Sequence, residues 1–246
     1  MDENNELTSE QEKITDEQDS EIFLRNEIYF KYKCLETTEQ LEQLYQILDE
    51  KKLFLSKINA LNDPFEGAQR LLGEKISNCN FDKYKVCSLS KSAFSVLMWC
   101  HYCKRFKGVC VGIKFDCEQK NDLQEVTYSK MTSWTIDENL DEKFALSFKD
   151  ECWKYENEVR IIEETNEKSQ QYYNLRGNSN IECLIIGNEV NNCVAEILEE
   201  KCRKKNIKVF RAKTSKENFG VEICSAYPNK SFECNKTFIE YLKEEK

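Results

Sequence analysis

The chain of 246 residues has one histidine, two prolines and seven glycines. A single imidazole excludes a multi-histidine metal centre and any mechanism that uses two histidines as acid and base. So little glycine and proline excludes collagen-like or low-complexity character. Glycine-rich phosphate loops are missing as well, since neither G-x-x-x-x-G-K-[ST] nor G-x-G-x-x-G occurs. No apolar run approaches the roughly 18 residues of a membrane-spanning helix, so no membrane association is expected. The N-terminus is acidic, without the apolar stretch of a secretory signal, and the expected location is cytoplasmic.

Aromatic residues are abundant, with 14 Phe and 11 Tyr, so a sizeable core is within reach. Charge is unevenly placed. Residues 1–21 hold nine acids against one base, Lys13, and so carry −8 of the total −9. The rest of the chain is close to neutral and has no global basic field to recruit nucleic acid. Residues 1–21 are expected to form a disordered tail, and residues 22–246 a single domain. The 13 cysteines, in a chain of this size without a signal, read as reduced, mostly buried thiols that behave as small hydrophobes.

Hydrophobic spacing predicts strands at 28–33, 52–56, 84–89, 109–115, 125–128, 153–162, 182–187, 207–211 and 219–223. It predicts helices at 38–50, with Thr37 and Gln40 as a capping box, and from Ser92 to about Phe106, ended by Gly108. Further helices are predicted at 67–80, 137–150, 190–204 with Asn188 as cap, and 238–243. Helices and strands intermix without a βαβ rhythm. The expected fold class is therefore α+β, a mixed or mostly antiparallel sheet with flanking helices.

The stretch Trp153-Lys-Tyr-Glu-Asn-Glu-Val-Arg-Ile-Ile162 carries the most chemistry. Read as one strand, it puts Tyr155, Val159 and Ile161 on one face and Glu156, Glu158 and Arg160 on the other. That polar face either lines a cleft or is the solvated face of an edge strand. His101, in Met98-Trp-Cys-His-Tyr102, is either a hydrogen-bonded structural residue or a site residue. Cys100 and Cys103 form a lone C-x-x-C, which leaves zinc short of ligands. Asn62-Asp-Pro-Phe-Glu66 reads as a ligand-facing loop or as an Asx-type turn with Phe65 in the core.

In order, the pieces Phe30-Lys-Tyr32, Leu53-Phe-Leu-Ser56, Asn62-Asp-Pro-Phe-Glu66, Val86-Cys-Ser-Leu-Ser90, Met98-Trp-Cys-His-Tyr102, Lys107-Gly-Val-Cys-Val-Gly112, Val126-Thr-Tyr128, Trp153 to Arg160 and Leu184-Ile-Ile-Gly187 resemble the bacterial "domain of unknown function 2971" family. The resemblance spans about Ile28 to Ile223. Leu89 stands where Phe is usual, and Cys103 where a small residue is common. The layout also resembles abortive-infection and phage-defence proteins and, more distantly, the ADP-ribosyltransferase fold. That likeness implies a nucleotide ligand, NAD consumed as substrate, an acceptor macromolecule of unassigned identity and no metal. It implies Glu158 as the transition-state-stabilising carboxylate, Glu156 as the residue that positions the acceptor, and His101 beside them. Tyr32, Asn62, Asp63, Ser88, Trp99, Tyr102 and Arg160 are the expected nucleotide-binding residues. Two alternatives stand beside this reading. One is a binding module without turnover. The other is a magnesium-dependent nuclease or hydrolase using Asp63, Glu66, Glu156 and Glu158.

Overall fold

The structure is a computed structural model that describes residues 28–65, 81–130, 142–165, 171–216 and 219–226. The expected tail at 1–21 and the expected helices at 67–80 and 238–243 lie outside the described residues, as does Glu66.

Strand β1 (Ile28–Cys34) leads into α1 (Thr38–Glu50). The capping box forms as the sequence predicts: the Thr37 hydroxyl accepts from Gln40 N–H, and the Gln40 side chain accepts from Thr37 N–H. Strands β2 (Lys52–Phe54), β3 (Ser56–Lys57) and β4 (Tyr84–Ser90) follow. Helix α2 (Val96–Tyr102) is shorter than predicted. It starts after Ser95, whose hydroxyl caps Met98 N–H, while the Ser92 hydroxyl is used in a local turn to Phe94 N–H. Past Tyr102, the residues Lys104, Arg105 and Phe106 are all left-handed, with φ of 44°, 57° and 63°. This turn is held by Phe106 stacked on Trp99 and by Lys107 N–H on Cys103 O. Gly108 does not end a helix. It opens β5 (Gly108–Lys114), where a Cβ would lie 2.2 Å from Lys33 O.

Next come β6 (Leu123–Glu125), β7 (Thr127–Ser129), a single helical turn α3 (Glu142–Ala145) and β8 (Phe148–Asp150). The predicted helix at 137–150 is thus a strand at its C-terminal end. A 3-10 segment, Glu151–Glu156, ends at Asn157, which is left-handed, and β9 (Glu158–Glu164) begins there. The expected strand over 153–162 therefore covers only its second half. Strands β10 (Tyr172–Asn174) and β11 (Asn180–Gly187), helix α4 (Asn192–Lys204), β12 (Lys208–Thr214) and β13 (Val221–Ser225) complete the described chain. Asn191, not Asn188, caps α4.

Among the described residues the main sheet has the order β13-β12-β11-β5-β1-β4-β9-β6, with β3 added to β4. Within it only the β11–β12 pair, joined through α4, is parallel; β7 and β8 pair parallel in a separate two-stranded sheet. The protein is α+β with a mostly antiparallel sheet. One face is sealed by α1 and α4, through Leu44, Ile47, Leu48, Ala195, Leu198 and Cys202. The other carries two separate apolar clusters. One gathers Phe30, Tyr32, Phe94, Met98, Trp99 and Phe106; the other gathers Tyr84, Val86, Leu146 and Ile162. Ten cysteines among the described residues are free thiols, five of them buried. Cys224 is disulfide-bonded, against the expectation of thiols throughout.

Candidate functional site

The gap between those two clusters follows from side-chain alternation on two neighbouring strands. β4 and β9 pair antiparallel with Val86 opposite Ile162, Ser88 opposite Arg160 and Ser90 opposite Glu158. One apolar pair is thus followed, on the same face, by two pairs of polar residues. The serines are short and leave room above them; the facing residues are long and charged.

The backbone opens at the same place. Val126 N–H donates to Glu158 O, and Glu158 N–H donates to the Tyr128 hydroxyl, so the peptide groups of Glu158 face β6. Alternation along paired strands then turns the peptides of Ser88 and Ser90 away from β9, toward β1. Yet β1 meets β4 at one registered pair, Phe30 with Ser90, and β3 takes over at Ser56 with Val86. Ser88 lies between. Its carbonyl accepts from Lys31 Nζ at 2.9 Å. Where the strands part there is a cleft of about 200 Å³, whose lining includes Tyr32, Asn62, Ser88, Tyr102, Glu156 and Glu158.

Its floor is an ion cluster. Lys149, Glu156, Glu158 and Arg160 are 6%, 3%, 4% and 0% exposed. Lys149 Nζ lies 2.5 Å from Glu156 and 2.9 Å from Glu158, so one ammonium bridges both carboxylates. Arg160 donates to Glu158 through Nε at 2.8 Å and Nη2 at 3.0 Å, and through Nη1 to Leu146 O at 2.6 Å. The Tyr102 hydroxyl donates to the other oxygen of Glu156.

This geometry pushes the two carboxyls apart. Burial raises Glu156, and the Glu158 charge adds to that, only partly offset by Lys149. Burial acts on Glu158 too, but Arg160 and then Lys149 overcome it and hold Glu158 well below the usual carboxylate range. Burial, with Glu156 beside it, also raises Tyr102, which stays a proton donor. A firmly ionised carboxylate next to one that binds its proton more readily is the pattern by which enzymes divide roles between two acids.

Six expected site residues therefore share one cleft: Tyr32, Asn62, Ser88, Tyr102, Glu156 and Glu158. Four others do not line it. Trp99 is fully buried, donates from Nε1 to Ala93 O and packs between Tyr32 and Phe106, so its ring serves the core. Asp63 is buried and accepts from Phe65 N–H, the Asx-type turn; Phe65, at 46% exposure, does not plug the core. Arg160 acts from beneath, through Glu158. His101 is exposed, with Nδ1 3.1 Å from the Tyr155 hydroxyl. Glu156 reaches the cleft from the 3-10 segment rather than from the strand face expected of it.

Lys149 and Lys31 were not anticipated. Lys149 sits in a segment with helical spacing, and nothing local marks it as buried. Lys31 alternates with Phe30 and Tyr32, so a strand pattern assigns it to the opposite face of the sheet, and nothing in the sequence marks its reach to Ser88 O where the strands part.

The fold and site together define an α+β protein with an acid–base cluster under a small polar cleft. The chain matches no protein-family model, no curated protein and no solved structure. Among the described residues, no helix is long and apolar enough to cross a membrane.

Proposed function

We propose that the chain is a bacterial enzyme of the domain of unknown function 2971 family. It cleaves the nicotinamide–ribose bond of NAD in this cleft and passes ADP-ribose to an acceptor or to water, in a defence setting. The observation that carries the reading is the ionised Glu158 at the floor of a cleft walled by Tyr32, Phe30 and Tyr102. When the glycosidic bond breaks, its electron pair leaves with nicotinamide, which departs neutral and needs no acid. Positive charge is left on the ribose, and a fixed carboxylate in a partly dry site stabilises it as it forms. Arg160 and Lys149 keep Glu158 ionised and in place. Glu156, more basic than an ordinary carboxylate, takes the proton of the attacking hydroxyl or water as the new bond forms.

A second reading, nucleotide binding without turnover, has one observation in its favour. Both oxygens of Glu158 already bond to cations, which spends part of the charge a cationic transition state needs. The hydrolase reading has less support, because the Lys149 ammonium sits between the two carboxylates, where that reading puts magnesium. Incubation of the purified protein with NAD separates them. Nicotinamide release supports the first; saturable NAD binding with the dinucleotide intact supports the second; magnesium-dependent cleavage of nucleic acid supports the third.

A further inference from the structure

The cleft is too small for a whole dinucleotide. About 200 Å³ is below the roughly 300–1,000 Å³ of pockets that enclose drug-sized ligands, and a dinucleotide is larger than those. One ring with its sugar fills the cleft, and the remainder of the ligand must lie on a neighbouring surface.

Next to the cleft runs an aromatic ledge that no step above uses. Trp153 and Tyr155 are half-buried on the 3-10 segment, with ring centres 6.1 Å apart and planes tilted by 35°. His101 meets Tyr155 edge-on at 5.6 Å and shares the hydrogen bond to its hydroxyl. The ledge is continuous with the cleft through one residue. Lys149 Nζ lies 5.2 Å from the centre of the Trp153 ring and also bonds both cleft glutamates. Trp153 and Tyr155, both partly reached by solvent, offer ring faces on which a planar base stacks, with exposed His101 standing edge-on beside them; stacking of this kind tolerates any base with a π-face.

Building on the NAD reading, we infer that Trp153, Tyr155 and His101 form a second subsite that holds the purine ring of a nucleotide whose other end occupies the cleft. His101, which lines no part of the cleft, thereby gains a role in binding rather than in catalysis.

The test uses equilibrium binding to the full chain by calorimetry. AMP is compared with ribose 5-phosphate, which lacks the ring, and with nicotinamide mononucleotide, which lacks the purine half. The intact protein should bind AMP at least tenfold more tightly than ribose 5-phosphate. Trp153→Ala should remove about tenfold of that advantage, Trp153→Phe should keep it within about threefold, and neither should move nicotinamide mononucleotide by more than about twofold. Equal affinity of the intact protein for AMP and ribose 5-phosphate overturns the subsite, and that comparison needs no variant. Retention of the difference in Trp153→Ala, or equal losses for AMP and nicotinamide mononucleotide, also overturns it. Failure to release nicotinamide from NAD sinks the proposed reaction without touching these affinities, so the two ideas fail separately.

Discussion

Replacing Lys149 with methionine keeps the apolar stem out to Cε and removes the ammonium that bridges Glu156 and Glu158. The residues involved are all at least nine-tenths buried, so water gives little relief. Taking one partner out of a buried ion cluster typically costs about 3–5 kcal/mol, and a loss of that size is expected at pH 8. The sign of the pH dependence follows from what Lys149 does. It lowers both carboxyls, so without it both rise; Arg160 still holds Glu158 down, but Glu156, already above the ordinary range, rises further and takes up its proton more readily folded than unfolded. Its stability therefore falls as pH rises from the ordinary carboxylate range, and the deficit against the native protein should shrink between pH 8 and pH 5. Adding Glu156→Gln removes one of the two facing charges and should restore more than half of the loss. Urea unfolding followed by circular dichroism at both pH values measures all of this. A deficit under about 1 kcal/mol, or one indifferent to pH, refutes the picture of a bridging ammonium.

Three further substitutions probe the frame that holds the site. Arg105 is left-handed and exposed, so Arg105→Gly should leave stability unchanged or raise it by up to about 1 kcal/mol in thermal or urea unfolding, whereas glycine in an ordinary helix costs about that much. Thr37→Ala removes the capping hydroxyl of α1 and should cost about 1 kcal/mol by the same measurement. Gly187→Ala would put a Cβ 2.1 Å from the carbonyl oxygen of Phe106, a backbone atom that cannot turn aside, and should cost about 1–3 kcal/mol. A neutral result there means that the approach of the turn after α2 to β11 is looser than described.

Local signals were legible where they were self-contained. Thr37 and Gln40 mark the start of α1 three residues apart, and the reciprocal bonds they make need nothing from the rest of the chain. The start of α2 was not legible, because Ser92 and Ser95 are both competent caps and only the packing of Phe94 and Trp99 beneath them selects the second. The same holds for Trp153 to Ile162. Its alternation suits a strand throughout, but Asn157 takes the left-handed conformation and the first half becomes a 3-10 segment that brings Glu156 to the floor of the cleft. The polar face of β9 was readable, since Glu158 and Arg160 do share it. What they face depends on the register with β4, which puts Ser90 opposite Glu158 and Ser88 opposite Arg160, and on the parting of β1 from β4. Lys149 comes from β8, only seven residues before Glu156, but its spacing reads as helical and its burial is a tertiary fact without a local cue.

The most direct test of the central claim is the rate of nicotinamide release from saturating NAD by the native chain and by Glu158→Gln. The account predicts release by the native chain and a fall of about 10²–10³ in the variant, the typical effect of removing one preorganised stabilising group. No release by the native protein, or an undiminished rate in the folded variant, would contradict it.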